Sequence, residues 1–169
     1  MVINHQEFDR IVRQEFSNIL PELIWQNDDG EYEVFGKYKI VPEKPGYTVL
    51  INDDCKGFFN NSKSAISWCV ADKYQQYNLA RDLLSYDNML FNISNDIFVR
   101  AGIANKTKDQ VLRENIEIKL ELKILHKKQV QAQLDKCLNR AKYLQQKGFE
   151  NETSRFGSAA TIKTNRSCV

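Results

Sequence analysis

The sequence predicts an α+β fold: an N-terminal helix, a small three-stranded antiparallel sheet, a long antiparallel helical hairpin of coiled-coil character, and a flexible C-terminal tail. Three observations predict it. Between Glu31 and Phe59, short runs of alternating apolar residues are separated by turn-forming residues, the mark of half-buried strands. From Ser62 to Lys147 there is no Pro and a single Gly, Gly102, at which the chain turns back. Thr107 to Gly148 reads as one uninterrupted helix of about 41 residues, a rod of roughly 60 Å.

Taken in order, His5 to Leu20 is amphipathic, with Phe8, Ile11, Val12, Phe16 and Ile19 on one stripe. Pro21 closes it, and Leu23, Ile24 and Trp25 continue the apolar supply before the turn Asn27-Asp28-Asp29-Gly30. Glu31 to Val41 is the first strand, with Tyr32, Val34, Tyr38 and Ile40 of one parity and Gly36 as a bulge. Pro45-Gly46 suits a type II turn. Tyr47 to Asn52 and Cys55 to Phe59 are the second and third strands, joined through Asn52-Asp53-Asp54. Three strands with one apolar face need a cover. The next segment supplies it: a helix capped by Asn61 or Ser62 and apolar or aromatic from Ala65 to Leu84. Ser85 to Asn88 is a candidate kink, and the helix carries on to about Ala101, with Gly102 ending it.

The long helix opens on Thr107-Lys108-Asp109-Gln110, which has the form of a capping box, and closes on Lys147-Gly148. At 100° per residue it has two apolar faces. Val111, Ile118, Leu122 and Leu125 form one; Ile116, Leu120 and Ile124 form another, roughly opposite. Glu114, Glu117 and Glu121 line one edge between them, and Lys119, Lys123 and Lys127 line the other, as a solvated row or, alternatively, against an acidic partner within the chain or in another subunit, or a phosphate. A helix apolar on two sides needs two partners. Further on, Gln131, Leu134, Leu138, Ala141 and Gln145 keep coiled-coil spacing. Residues 1–148 thus read as a single domain from which the hairpin 62–148 protrudes, with 149–169 as the flexible tail.

The 169 residues, 42% of them apolar, suffice for one core. The net charge of +2 conceals a dipolar layout. Residues 1–35 hold eight acids against Arg10 and Arg13, whereas 124–148 hold Lys127, Lys128, Lys136, Arg140, Lys142 and Lys147 against Asp135 alone. Such asymmetry serves assembly or an acidic partner. Lys119, Lys123, Lys127, Lys128, Lys136 and Arg140 are the candidate contacts to an anionic partner. No basic start with an apolar run marks a signal peptide, and no apolar run reaches membrane-spanning length. Cys55, Cys69, Cys137 and Cys168 lack paired spacing and read as reduced thiols of a cytoplasmic protein.

Constellations for chemistry are weak. His5 and His126 stand apart from other ligands. Asp53-Asp54 is explained by turn chemistry, Glu117 and Glu121 lack the histidines of a bundle metal site, and no Gly-rich loop precedes a helix. Cys69 sits among apolar residues as a core thiol. Trp68, Tyr74, Tyr77 and Tyr86 read as core or interface aromatics. No catalytic residue, metal, cofactor or small-molecule substrate is expected.

The segment Tyr32 to Tyr77, with Gly-Tyr-Thr-Val-Leu, a turn, Gly-Phe-Phe and Ser-Lys-Ser-Ala-Ile, resembles small three-stranded modules backed by a helix, some of which bind DNA through the sheet. Lys37, Lys39, Lys44 and Lys56 would supply its charge. The run Ala65 to Tyr74, continuing to Leu90, with Ile97 and the closing Gly148-Phe149-Glu150-Asn151-Glu152-Thr153, is similar to uncharacterised small proteins of marine tailed bacteriophages. That likeness covers residues 35–155 and brings no function with it; it favours a viral origin and a virion or accessory role, in the host cytoplasm or the particle. The expectation is a non-catalytic interaction protein that self-associates through the apolar faces of its long helix or binds another protein. The alternative is a nucleic-acid-binding module using the sheet or the basic end of the long helix.

Overall fold

The computed structural model of the protein describes residues 24–26 and 31–165, with side chains over 31–148. It is an α+β fold. A five-stranded antiparallel meander comes first: β1 (Ile24–Gln26), β2 (Tyr32–Val34), β3 (Tyr38–Glu43), β4 (Gly46–Ile51) and β5 (Asp54–Phe59). Three helices follow: α1 (Ser62–Lys73), α2 (Tyr77–Lys106) and α3 (Gln110–Asn165). The helix expected over His5 to Leu20 lies outside the described residues.

The single strand expected over Glu31–Val41 is two strands. Phe35 and Gly36 take positive φ angles of 56° and 66°, and the chain reverses there so that Val34 pairs with Tyr38. These partners are four residues apart, so one parity runs through the turn, and Tyr32, Val34, Tyr38 and Ile40 are all buried on one face. The alternation hid the turn, and Gly36 serves a left-handed turn instead of a bulge. β1 adds an edge strand, pairing Trp25 with Glu33. The Glu43–Gly46 turn also departs from expectation, because the Lys44–Pro45 peptide is cis and Pro45 occupies the third turn position, as in type VI. Gly46 is demanded by close approach, since a Cβ there would collide with the Phe59 carbonyl oxygen. At the β4–β5 hairpin Asn52 and Asp53 take φ of 51° and 65°, the left-handed region that Asn and Asp tolerate.

α1 is buried on almost every side, from Ser62 to Ala71, because it packs on β4 and β5 and against both long helices. A helix without a polar face belongs in such a place. Asn61 caps it, accepting the Lys63 N–H at 2.8 Å. Trp68 meets Tyr38 edge to face at 6.2 Å, and the Tyr38 hydroxyl donates to Asp72 at 2.5 Å. Burial, then the acidic neighbour, push the Tyr38 phenol well up.

The chain breaks after α1 at Tyr74–Gln76, where Gln75 is left-handed (φ 58°) and the Gln76 N–H returns to the Ala71 carbonyl at 2.8 Å. α2 continues without a break through Ser85–Asn88, where a kink is expected. The polar residues there are fastenings. Asp87 accepts the Asn60 backbone N–H at 2.7 Å and its side-chain amide at 3.2 Å, just before the N-terminus of α1, where negative charge is favoured. Asn88 donates to the Phe58 carbonyl at 3.2 Å.

Both punctuation marks of the long helix were also misread. Gly102 lies inside α2, which ends only at Lys106. Thr107 caps the end of α2, its hydroxyl donating to Ile103 at 2.7 Å. α3 begins only at Gln110, so Thr107 is not its N-cap residue. Asp109 starts α3 instead, accepting the Leu112 N–H at 3.0 Å. Gly148 does not stop α3, which continues to Asn165. It is there for close packing, because a Cβ would collide with the Tyr74 ring and hydroxyl.

Candidate interaction surface

α2 and α3 lie antiparallel, joined by the short connection at Thr107–Asp109. Lys123 is ion-paired with Asp96, and Gly148 lies against Tyr74. The first ties α3 to α2 towards the turn, and the second packs α3 against the residue that follows α1. In α3 the residues turned inward fall at 116, 120, 123, 127, 130, 134, 137 and 141, alternating steps of four and three as in a coiled-coil seam.

At the sheet end the seam is apolar. Leu79 and Leu83 of α2 and Val130, Leu134 and Ala141 of α3 are buried there. Towards the turn the covered or partly covered positions include Ile93, Ile97, Arg100 and Ala104 on α2 and Ile116, Leu120, Lys123 and Lys127 on α3. Three of these eight are cations. Lys123 and Lys127 are half-buried, so they belong to the seam and not to the solvated row expected of them, whereas Lys119 is exposed. Hydrogen bonding to Lys123 is the main influence holding Asp96 below the usual carboxylate range, with Arg100 adding to it.

The outside of the hairpin reverses this pattern. Val111 is 68% exposed, Leu122 63%, and Ile118 and Leu125 more than half. Of the two faces expected on the long helix, Ile116 and Leu120 are therefore half-buried in the seam with α2, and Val111, Ile118, Leu122 and Leu125 face away from it. Ile124 sits at the edge, 39% exposed. The sequence reading missed that α2 contributes as well: Phe98, at 81%, Val99 and Ile103 are exposed near the same end. The signal was available, since Phe98 and Val99 fall off the Leu90, Ile93, Ile97 stripe at helical spacing. Leu112, also exposed, was missed too. Surface apolar residues are ordinary singly, but a contiguous group marks a contact site.

Beyond Leu125 the same outer face of α3 changes character. Lys136, Arg140, Tyr143 and Lys147 align on it and are exposed, with the Lys147 ammonium 5.2 Å from the Tyr143 ring centre. Lys128 is exposed near the junction. The sheet is a poorer cationic surface. Lys39 is engaged by Glu31 at 3.0 Å and Lys37 by Asp72 at 3.7 Å, and Glu33 pairs with Lys39 across the outer face.

The remaining candidates hold little chemistry. Burial raises the Cys69 thiol, leaving it an inert core group. Trp68 is core, Tyr74 and Tyr86 pack against it, and Tyr77 is exposed. His126 is exposed on α3, and His5 lies outside the described residues. Among the described residues no three of His, Cys, Asp and Glu converge as a metal site would need, and no helix is long and apolar enough to cross a membrane. A shallow depression at the hairpin turn is lined by Lys106, Thr107, Lys108, Gln110, Arg113 and Glu117, with Arg113 already on Glu117 at 2.9 Å. Comparison with known protein families, curated proteins and solved structures finds no match to this chain.

Proposed function

We propose that this chain is a non-catalytic interaction protein that self-associates through the turn end of its helical hairpin. One observation supports this above the rest: that end holds cations inside and large apolar residues outside, so pairing with α2 alone leaves its apolar surface in water. The turn end of the hairpin then acts as an arm protruding from the body that the sheet, α1 and the sheet end of the hairpin form, and α3 runs on past Gly148. The likeness of residues 35–155 to small proteins of tailed bacteriophages supports a virion-associated or accessory role, in the host cytoplasm or in the particle.

The test is the double variant Ile118→Ser with Leu122→Ser, examined by sedimentation velocity and circular dichroism. The reading expects an unchanged fold and loss of the assembled species. A variant that sediments like the parent contradicts it.

A second reading has its own support in the exposed row Lys136, Arg140 and Lys147 with Tyr143 beside it. This is a short basic and aromatic stripe suited to a nucleic-acid backbone. It expects binding to DNA or RNA that falls steeply with salt and is lost in the triple Ala variant of the three cations. No binding at low salt eliminates it.

A further inference from the structure

Resting on the self-association reading, we infer that the second copy lies parallel and in register along α3, with Asn115 facing Asn115 of the second copy. The outer face has the period of a coiled-coil seam in its own right. Val111, Asn115, Ile118, Leu122, Leu125 and Gln129 follow steps of four and three, and every one of them is exposed. Among the described residues α3 thus has two such seams on opposite sides, one filled by α2 and one open. The occupant is a second copy because the flanking charges complement themselves.

One flank carries Glu114, Glu121 and, at its end, Lys128, and the other carries Lys119 and His126; all five are exposed. In a parallel, in-register pair, a residue of the first flank meets the residue five positions on from the second flank of its neighbour. Glu114 then meets Lys119 of the second copy, and Glu121 meets His126. An antiparallel pair centred on the same seam sets each flank against itself. Glu121 would face Glu121 and Lys119 would face Lys119, like charges in contact at the centre, with Glu114 against Lys128 at the ends as the compensation.

The polar seam position points the same way. Parallel pairing places the Asn115 amides together, where each can donate to and accept from the other, and a single seam Asn of this kind fixes register and orientation. Antiparallel pairing sets Asn115 against Leu125 and leaves an amide facing apolar surface. Beyond Gln129 the parallel copies bring Lys136 and Arg140 of each chain side by side, so the seam ends there and the two bodies diverge.

The test uses full-length chain with Cys55→Ser as background, because Cys55 is exposed. In that background N115C alone, L125C alone, and an equimolar mixture of the two are oxidised with diamide and scored for covalent dimer. The inference expects N115C to cross-link with itself and L125C with itself, well above the parent. Cross-linking confined to the mixture overturns the orientation while leaving self-association standing. A dimeric mass with no cross-link in any sample places the contact elsewhere and overturns it too. A monomeric mass overturns both this inference and the reading beneath it. A charge exchange gives an independent measure. E114K and K119E should each weaken self-association several-fold, and mixing the two variants should recover the parent affinity; failure to recover contradicts the pairing.

Discussion

At the sheet end of the hairpin, Leu83, Leu134 and Ala141 are at 1% exposure or less, and Lys136, Arg140 and Lys147 face solvent. At the turn end, Lys123 and Lys127 enter the seam, while Phe98, Val111, Ile118 and Leu122 face solvent. The same two helices, in one continuous register, are thus apolar inside at one end and apolar outside at the other. The fastenings follow this division. Asp87 and Asn88 tie the sheet end of α2 to the start of α1 and to β5, and beyond them the cross-hairpin tie is the ion pair of Asp96 with Lys123. Among the described residues, the first half is covered and the second leaves large apolar side chains in solvent, and the proposed self-association rests on that difference.

The sharpest way to break the comparison is to truncate one leucine in each half. Leu134→Ala should cost about 2–5 kcal/mol in urea unfolding, as for a fully buried leucine. Leu122→Ala at dilute concentration should stay within about 0.5 kcal/mol of the parent, because that side chain is already in water. Equal losses at both sites would erase the distinction. Next in size is Asp87→Ala. It strips a buried acceptor from two Asn60 donors and should cost about 1–3 kcal/mol, read from the same denaturation curves. Lys127→Leu should move the turn end towards the sheet-end pattern, stabilising the chain by about 1 kcal/mol through added apolar burial at a partly covered position. A destabilised variant would show that the cation is needed in the seam.

The smallest effects are in pH. The two aspartates titrate in opposite senses. Burial raises the Asp87 carboxyl despite its donors, so the folded chain holds that proton more tightly than the unfolded chain. Its contribution to stability therefore grows as pH falls from above the raised value to below the ordinary carboxylate range. Asp96 is lowered, chiefly by Lys123. Its contribution is present above the ordinary range and is lost as pH falls through the folded value. Thermal melts of Asp87→Asn and Asp96→Asn against the parent between neutral and acid pH should differ from it with opposite slopes. Slopes of the same sign would refute the assignment.

The sequence made much of this legible, and what it concealed has physical reasons. Buried parity in Tyr32, Val34, Tyr38 and Ile40 was readable, but the three-residue turn at Phe35–Lys37 preserves that parity and so left no break in the pattern. Left-handed Phe35 and Gln75 mark the two chain reversals that were missed, and neither residue type signals that conformation. Gly102 and Gly148 were read as helix stops. One is tolerated inside α2 with nothing near its Cα, and the other makes room for Tyr74, a contact between residues far apart in sequence. On the long helix, both apolar faces were readable from spacing alone. Which of them α2 would take depended on the register, fixed by contacts such as Asp96 with Lys123 that one helix's pattern does not contain.

The central claim, that the turn end of the hairpin is completed by a second copy, is tested most directly by the solution mass of the full-length protein, measured by light scattering at low and at high salt. The account predicts a discrete assembly of two chains that persists at high salt, because the seam is apolar at its centre and screening removes only its flanking charges. A monomer of 19.7 kDa under both conditions would contradict it.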